Sequence, residues 1–387
     1  MSETKEQQPA YISRVHLKGY KSIRDLEIDF KAGLNIIIGP NGSGKTNFLE
    51  FILKSLDREY LELNGNFKFS FNFENISVSK WTVESVFKRG NNDEKNYILE
   101  SSLQNNKEEK LKLLYPKNIN SQISNHFKSL NSYEELNKIR PFCKINYSVP
   151  QNIPLLDTPY SIYEPNQLFK FPQFSSFGNF IDSRLSMIAS TLWNTIADVI
   201  PGFFELDNSI LNSIRNFSPI KDVRLSQGFY FHTDHQYQFT LDYLSFEFLV
   251  NNMWLSWKQL SDGTKRLFYL IHEIAYFKQG VFFVDEPELG IHPDQLYLLM
   301  DFLKEQSKTK QIIITTHSPE VLNILEKNEL DRIIVTRYDA EKGTQMHHLS
   351  PKKIKKGQMY MDKVGYLSTF WVHSNLEEYE AEEYEVE

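Results

Sequence analysis

Hydrophobic and polar positions follow two different regimes along this chain. Near the start, Val15 and Leu17 alternate with polar neighbours, as do Leu26, Ile28 and Phe30, the period-two pattern of half-buried strands. After Asn35, Ile36-Ile37-Ile38 form an unbroken apolar run, as in a strand covered on both faces. A glycine-rich segment follows, and then Phe48, Leu49, Ile52 and Leu53 recur at helical spacing. Residues 11–56 therefore read strand, strand, strand, loop, helix. Helices alternating with short apolar strands return over 256–350, with strands expected at Val281 to Val284, Gln311 to Thr315 and Arg332 to Thr336. This alternation predicts an α/β fold whose mixed, largely parallel sheet is covered by helices and built from both chain ends.

The middle, 57–255, obeys a looser pattern. Phe67, Phe69, Phe71 and Phe73 alternate with polar residues, a clear strand, and 97–103 and 110–115 are expected to pair with it in an antiparallel sheet. Over 140–175 Pro and Asn are frequent and no period holds, so loops are expected. Residues 176–216 read as helical, broken at Pro201-Gly202. Aromatic strands return over 228–258, with Asn251-Asn252 as a hairpin turn. The expected organisation is an inserted β-rich and helical lobe between two halves of one domain, followed by a C-terminal segment, 351–387. No heptad or internal repeat is present to suggest a coiled coil or solenoid.

Charge sharpens this picture. The formal net charge is −7, and the seven Glu of Glu377–Glu387 account for it, leaving a neutral body and an acidic end expected to be solvated. A neutral body does not advertise nucleic acid as a partner, which leaves only local basic patches for that role. One such run, Lys352-Lys353-Ile354-Lys355-Lys356, is read as a solvated loop. Cys143 is the only cysteine, excluding intrachain disulfides and cysteine-based zinc sites. His232-Thr233-Asp234-His235 is read as a polar turn rather than a metal cluster, and Trp371 as an anchor packing the C-terminal segment. The polar Met1 to Pro9 and the lack of a long apolar run predict a cytoplasmic chain with no membrane partner.

Chemistry concentrates in four places. Gly39-Pro40-Asn41-Gly42-Ser43-Gly44-Lys45-Thr46 matches the phosphate-binding P-loop pattern in full. Its glycines let backbone N–H groups turn toward phosphate oxygens, and the helix after it presents its positive end. Lys45 is expected to reach the β- and γ-phosphates of ATP, and the Thr46 hydroxyl to ligate Mg²⁺; Asn47 completes the stretch. Asp285-Glu286 ends an apolar strand, where Asp285 suits a Mg²⁺ ligand and Glu286 a base acting on the attacking water. Ser261 caps a helix beginning Asp262-Gly263, and Gly263 permits close backbone approach to a ligand. Finally, Thr315-Thr316-His317-Ser318-Pro319 ends a strand in a histidine, with Ser318 as cap and Pro319 at the first position of a helix.

Together these elements, in this order, resemble the ATPase head of ABC-type proteins, in the SMC/RecF/OLD branch. Arg14 to Ser22 resembles the branch's first strand, Leu260 to Arg266 its signature motif, and Asp285 to Pro293 its extended Walker B motif. The resemblance implies ATP hydrolysis in a head-to-head dimer, with assembly above a dimer left open. It implies Ser261 and Gly263 touching the nucleotide of the partner copy, His317 touching the γ-phosphate in cis, and Lys21 and Ser22 among the nucleotide contacts. Asp262 stands where the signature usually has a glycine, and the Q-loop glutamine is either Gln104 or Gln151. The long interval between Lys45 and Ser261 suits neither a transporter domain nor a coiled-coil protein. Compact heads with unusual insertions resemble the ATPase subunits of the Septu and PARIS antiphage systems. That implies a sensor subunit controlling a separately encoded effector such as a nuclease. The alternative implied by the branch is a DNA-repair or chromosome-maintenance ATPase that clamps DNA.

Overall fold

The computed structural model describes residues 10–56, 66–75, 78–89, 95–105, 110–115, 141–144, 207–225, 230–233, 239–242, 246–276 and 280–374. They belong to two compact units, the first comprising Met1–Ile145, Phe277–Leu289 and Leu303–Glu387, the second Asn146–Tyr276 and Gly290–Phe302.

The first unit is built on a mixed sheet from both chain ends. In chain order its strands are β1 (Tyr11–Tyr20), β2 (Ile23–Asp29), β3 (Leu34–Ile38), β4 (Phe67–Glu74), β5 (Val78–Arg89), β6 (Lys95–Asn105), β7 (Lys110–Tyr115) and β8 (Pro141–Lys144). Helix α1 (Lys45–Leu56) follows β3. The second unit supplies α2 (Asn208–Phe217), β9 (Ile220–Leu225), β10 (Tyr230–Thr233), β11 (Phe239–Asp242), β12 (Phe246–Val250), β13 (Met253–Ser256) and α3 (Asp262–Tyr276). Back in the first unit lie β14 (Val281–Asp285), β15 (Gln311–Thr316), β16 (Ile333–Asp339) and β17 (Gly343–His348), with α5 (Pro351–Lys363) and α6 (Leu367–His373). Helix α4 (Pro293–Gln306) runs between β14 and β15 in the chain.

Strand order among the described residues is β7-β6-β5-β4-β1-β2-β17-β16-β3-β15-β14-β8. The strands β16, β3, β15, β14 and β8 run parallel to one another, and the other pairs, β16 with β17 included, are antiparallel. Burial follows this division. Every residue of β3 and β15 is buried, as a parallel strand covered on both faces requires, whereas β1 buries only Ile12, Val15, Leu17 and Tyr20, and β2 only Ile23, Leu26 and Ile28. One side chain ties the two regions: buried Gln311 accepts from the Ile12 N–H at 2.9 Å and donates to the carbonyls of Ile12 and Lys31 at 2.9 and 3.1 Å.

The aromatic strand expected at Phe67 to Phe73 continues the sheet from β1 in the register Val15↔Phe71 and Leu17↔Phe69. Phe51 of α1 meets Phe67 and Phe69 edge-on at centroid separations of 6.1 Å, and Trp81 of β5 meets Phe69 at 5.2 Å. These strands, 67–115, lie in the stretch read as an inserted lobe, yet they extend the same sheet.

Several local expectations change. The strand β5 separates Phe67–Phe73 from 97–103 and was not expected; its inward Trp81, Val83 and Ser85 alternate with Lys80, Thr82 and Glu84. Residues 141–144, expected as loop, form the edge strand β8 beside β14, where Pro141 begins the strand and needs no ladder donor. The run Lys352–Lys356, also expected as loop, is helical. Ser350 accepts from the Lys353 N–H and Pro351 opens α5, so capping outweighs the local crowding of charge. Trp371 is buried, as expected. The residues 234–238, Gln151, Pro201-Gly202 and the acidic end lie outside the described residues.

In the second unit, β13-β12-β9 form a small antiparallel sheet. Its β12–β13 hairpin turns at Asn251 and Asn252, with φ of 50° and 64°, the two left-handed positions of a tight hairpin. Phe248, Trp257 and Phe268 pack together beneath it at 5.1–5.8 Å. His232 and Thr233 are strand residues of β10 rather than turn.

Candidate functional site

Parallel pairing sets the site. The register Ile38↔Thr316 and Thr315↔Asp285 brings the C-terminal ends of β3, β15 and β14 to one edge of the sheet. The P-loop, the threonine–histidine turn and the acidic pair each begin at that edge, where ligands of open α/β sheets are held.

Backbone sterics explain the loop's glycines. Gly42 and Gly44 take φ of 81° and 101°, where a side chain is strained. Gly39 leaves no room for a side chain, because a Cβ there would lie 2.2 Å from the Thr336 carbonyl oxygen. Inside the loop, Lys45 is buried and its Nζ donates to the carbonyls of Gly39 and Pro40 at 2.8 and 3.0 Å. Burial pushes the Lys45 ammonium down from its ordinary value, and the carboxylates of Glu286, Asp285 and Glu288 oppose that shift. Ser43 is also buried, and its hydroxyl has no hydrogen-bond partner among the described residues. Asn41 and Thr46 are exposed. The loop is thus a cradle with a cation folded into it and an unspent hydroxyl.

At the end of β14, Thr315 Oγ1 donates to Asp285 Oδ1. Glu286 has φ of 43°, a left-handed backbone rare for a residue with a Cβ, and its N–H donates to the Thr315 carbonyl at 2.7 Å. Non-glycine residues in this region cost about 1–3 kcal/mol and cluster at functional sites. The His317 Nδ1 lies 3.4 Å from Glu286 Oε1 and 3.4 Å from Glu288 Oε1. The structure therefore brings together Asp285, Glu286 and His317, and the carboxylates of Asp285 and Glu286 act electrostatically on Lys45. Ser318 opens a 3-10 helix rather than an α-helix, and its side chain makes no capping bond; Thr316 Oγ1 instead accepts from the Ser318 N–H at 2.9 Å.

Lys21 and Ser22 support the loop's flank. Lys21 pairs with Glu50, whose second ion pair is with Lys54 at 2.9 Å. Burial raises the Glu50 carboxyl, but hydrogen bonds from Lys21 and Lys54 outweigh it and hold the group down to about 2. Ser22 Oγ hydrogen-bonds Thr344 Oγ1 at 2.7 Å and accepts from Asn47 Nδ2 at 2.8 Å. Gln104, one Q-loop candidate, sits on β6, with β5, β4, β1, β2, β17 and β16 between it and β3.

In the second unit Ser261 behaves as the expected cap: its Oγ accepts from the Thr264 N–H at 3.2 Å and contacts Thr264 Oγ1 at 2.9 Å. Gly263 approaches backbone closely, since a Cβ would lie 2.8 Å from the Gly290 carbonyl oxygen. Asp262 is largely exposed and pairs with Lys265 at 3.1 Å.

Sequence reasoning left out Glu288, Thr315, Thr316 and Thr344. Two threonines before His317 at the end of an apolar strand were a visible signal. Thr344, which lies beside Gly44, was not, because nothing local links β17 to the loop.

A family profile described as an AAA domain, putative AbiEii toxin, type IV TA system matches residues 34–323. The Septu protein PtuA of Bacillus thuringiensis is 24% identical over 348 residues, covering 82% of this chain and 74% of that protein. The DNA replication and repair protein RecF of Desulfitobacterium hafniense is 51% identical over 41 residues, 11% of each chain. Among solved structures, an SMC head bound to the C-winged helix domain of ScpA covers 89% of this chain at 16% identity, with a TM-score of 0.48. The chain belongs to the AAA-domain family described as putative AbiEii toxin, type IV TA system, and resembles Septu PtuA along most of its length.

Proposed function

We propose that the chain binds ATP with Mg²⁺, closes into a head-to-head dimer and hydrolyses the nucleotide, as the regulatory ATPase of an antiphage defence system with a separately encoded effector. The observation that carries the enzymatic part is the single edge shared by Lys45, Asp285, Glu286 and His317. A buried ammonium already bonded to loop carbonyls can transfer those bonds to phosphate oxygens, and the left-handed φ of Gly42 and Gly44 accommodates the phosphate-facing loop backbone. The donor set fits Mg²⁺. Thr46 and Asp285 are oxygen donors, and Mg²⁺ typically takes one or two protein ligands beside substrate phosphates and water. Among the described residues, no group of three or more His, Cys, Asp or Glu is placed to hold a metal without phosphate. When bound, the ion would neutralise charge developing on the phosphoryl oxygens.

Glu286 is the base in this reading, holding an attacking water and accepting its proton, while His317 beside it contacts the γ-phosphate. Ser261 and Gly263 would complete the site of the partner copy from the start of α3. The role in defence rests on the likeness to Septu PtuA along most of the chain, against a short local likeness to RecF. In this reading the stretch between Lys45 and Ser261 carries the specialised contacts with effector or trigger, and the protein works in the cytoplasm.

The test uses Glu286→Gln. Turnover of Mg·ATP should fall about 10²–10⁴-fold, the usual share of a general base, while ATP affinity persists. Unchanged turnover removes Glu286 from that role. The same variant, tagged and isolated with ATP from its native host, should retain a stoichiometric nuclease or toxin-like partner. Recovery of repair proteins or nuclease-protected DNA instead would replace the defence role with DNA clamping.

A further inference from the structure

Glu288 has no role in the chemistry described so far, yet it is buried against His317. Its side chain is 9% exposed. One oxygen, Oε1, accepts from Thr316 Oγ1 at 2.5 Å and from the His317 N–H at 3.3 Å, and lies 3.4 Å from His317 Nδ1. The other, Oε2, is buried with no hydrogen-bond partner among the described residues.

We propose that Glu288 is a positioning residue that fixes the ring orientation and tautomer of His317, an inference that rests on the catalytic reading above. A buried carboxylate with an unspent oxygen is a costly way to fill space, since an apolar side chain of similar volume does so without desolvating a charge. Capping the end of β15 does not require a carboxylate either, because a neutral amide oxygen can accept from both Thr316 and the His317 N–H. What the carboxylate adds is two oxygens that only accept. With Glu286 Oε1 and Glu288 Oε1 both 3.4 Å away, a hydrogen on Nδ1 is favoured over a lone pair there. The imidazole is thereby clamped through backbone, neighbouring hydroxyl and ring edge together, and Nε2 is left for the ligand. Glu286, whose proposed work is on water, is then relieved of orienting the histidine.

The experiment compares wild type, Glu288→Gln, His317→Ala and the double variant, with ¹⁵N-labelled histidine. Long-range ¹H–¹⁵N spectra at mildly alkaline pH, where imidazoles are neutral, report the tautomer directly. The His317 signal, identified by its loss in His317→Ala, should be the Nδ1–H form in wild type. It should gain Nε2–H character in Glu288→Gln, because a neutral amide oxygen in place of Oε1 holds a hydrogen on Nδ1 less strongly than a carboxylate does. Turnover of Glu288→Gln should fall roughly tenfold or more, as for other outer-shell orienting partners, with KM for ATP within twofold of wild type. In the His317→Ala background, Glu288→Gln should cost little more than His317→Ala alone. An unchanged tautomer in Glu288→Gln, or kcat losses that multiply in the double variant, overturns the proposal. Should wild type not hydrolyse ATP, the catalytic reading falls, and the tautomer spectrum still decides the case for Glu288.

Discussion

Gly44 offers a quantitative test of the cradle. Its φ of 101° lies outside the region open to L-residues, and a Cβ built there would stand 2.0 Å from Thr344 Oγ1, 2.8 Å from its Cγ2 and 2.9 Å from its Cβ. Two costs therefore fall on Gly44→Ala. Left-handed backbone costs about 1–2 kcal/mol for a residue with a Cβ. Forcing a methyl into an occupied position costs about 1–3 kcal/mol more. The obstacle cannot simply swing away, because Thr344 Oγ1 is hydrogen-bonded to Ser22 Oγ at 2.7 Å and the residue is buried. Gly44→Ala should thus lose about 2–5 kcal/mol. Thr344→Ala alone should lose about 1 kcal/mol with its hydrogen bond. If the two sites were independent, the double variant would lose about 3–6 kcal/mol. Because Thr344→Ala removes the two side-chain atoms beyond Cβ, including the nearest one, the double variant should lose only about 2–3 kcal/mol, the backbone part plus the hydrogen bond. Urea unfolding midpoints of the four proteins, followed by tryptophan fluorescence, measure this ordering. A double variant as weak as the sum of its parts would refute the argument that Thr344 closes the space beside Gly44.

The remaining predictions concern the dimer and pH. Lys45→Ala and Ser261→Ala should each abolish most turnover alone. Mixed, they should regain activity through hybrid dimers with one intact composite site, and no recovery on mixing at concentrations that support wild-type turnover would remove Ser261 from action across the dimer. Lys310 is buried and its ammonium is pushed down to about 8 by burial alone. A base with a lowered folded-state value penalises the fold while charged, so the penalty is full below about 8 and fades as pH rises toward 10.5. Lys310→Met should therefore melt higher than wild type at neutral pH, with the gap closing between pH 8 and 10.5; a constant gap would show that the ammonium is not the cause. Glu50, held down to about 2 by Lys21 and Lys54, contributes stability that is full above its ordinary value of 4.5 and lost as pH falls toward 2. Glu50→Gln should melt lower than wild type at pH 7, and the two melting curves should converge in acid.

How far the sequence reveals this site depends on the distance over which each requirement acts. The loop from Gly39 to Thr46 was legible because phosphate binding dictates both residue type and spacing within a few positions. Asp285, Glu286 and His317 were legible because each ends an apolar strand, and parallel strands ending together present their termini at one edge. The hairpin at Asn251-Asn252 was likewise a local matter of left-handed backbone. What escaped is held by partners distant in the chain. Edge strand β8 exists because β14 offers it a ladder, although its own composition argues for loop. Thr344 lies 300 residues beyond Gly44, and only the pairing of β17 with β2 and β16 brings it there. Gly44 shows the consequence. Its conformation could be expected from the motif, but the exclusion of any side chain has a second cause, a hydroxyl from the far end of the chain. Glu288 repeats the lesson in the other direction, since three residues after Asp285 it reads as one more acid on a loop. It becomes a clamp on His317 only because β14 and β15 are adjacent and in register, which places Thr316 and the His317 N–H beside its carboxylate. The motifs thus name the groups proposed to meet the nucleotide, whereas the order of the strands selects the groups that hold them still.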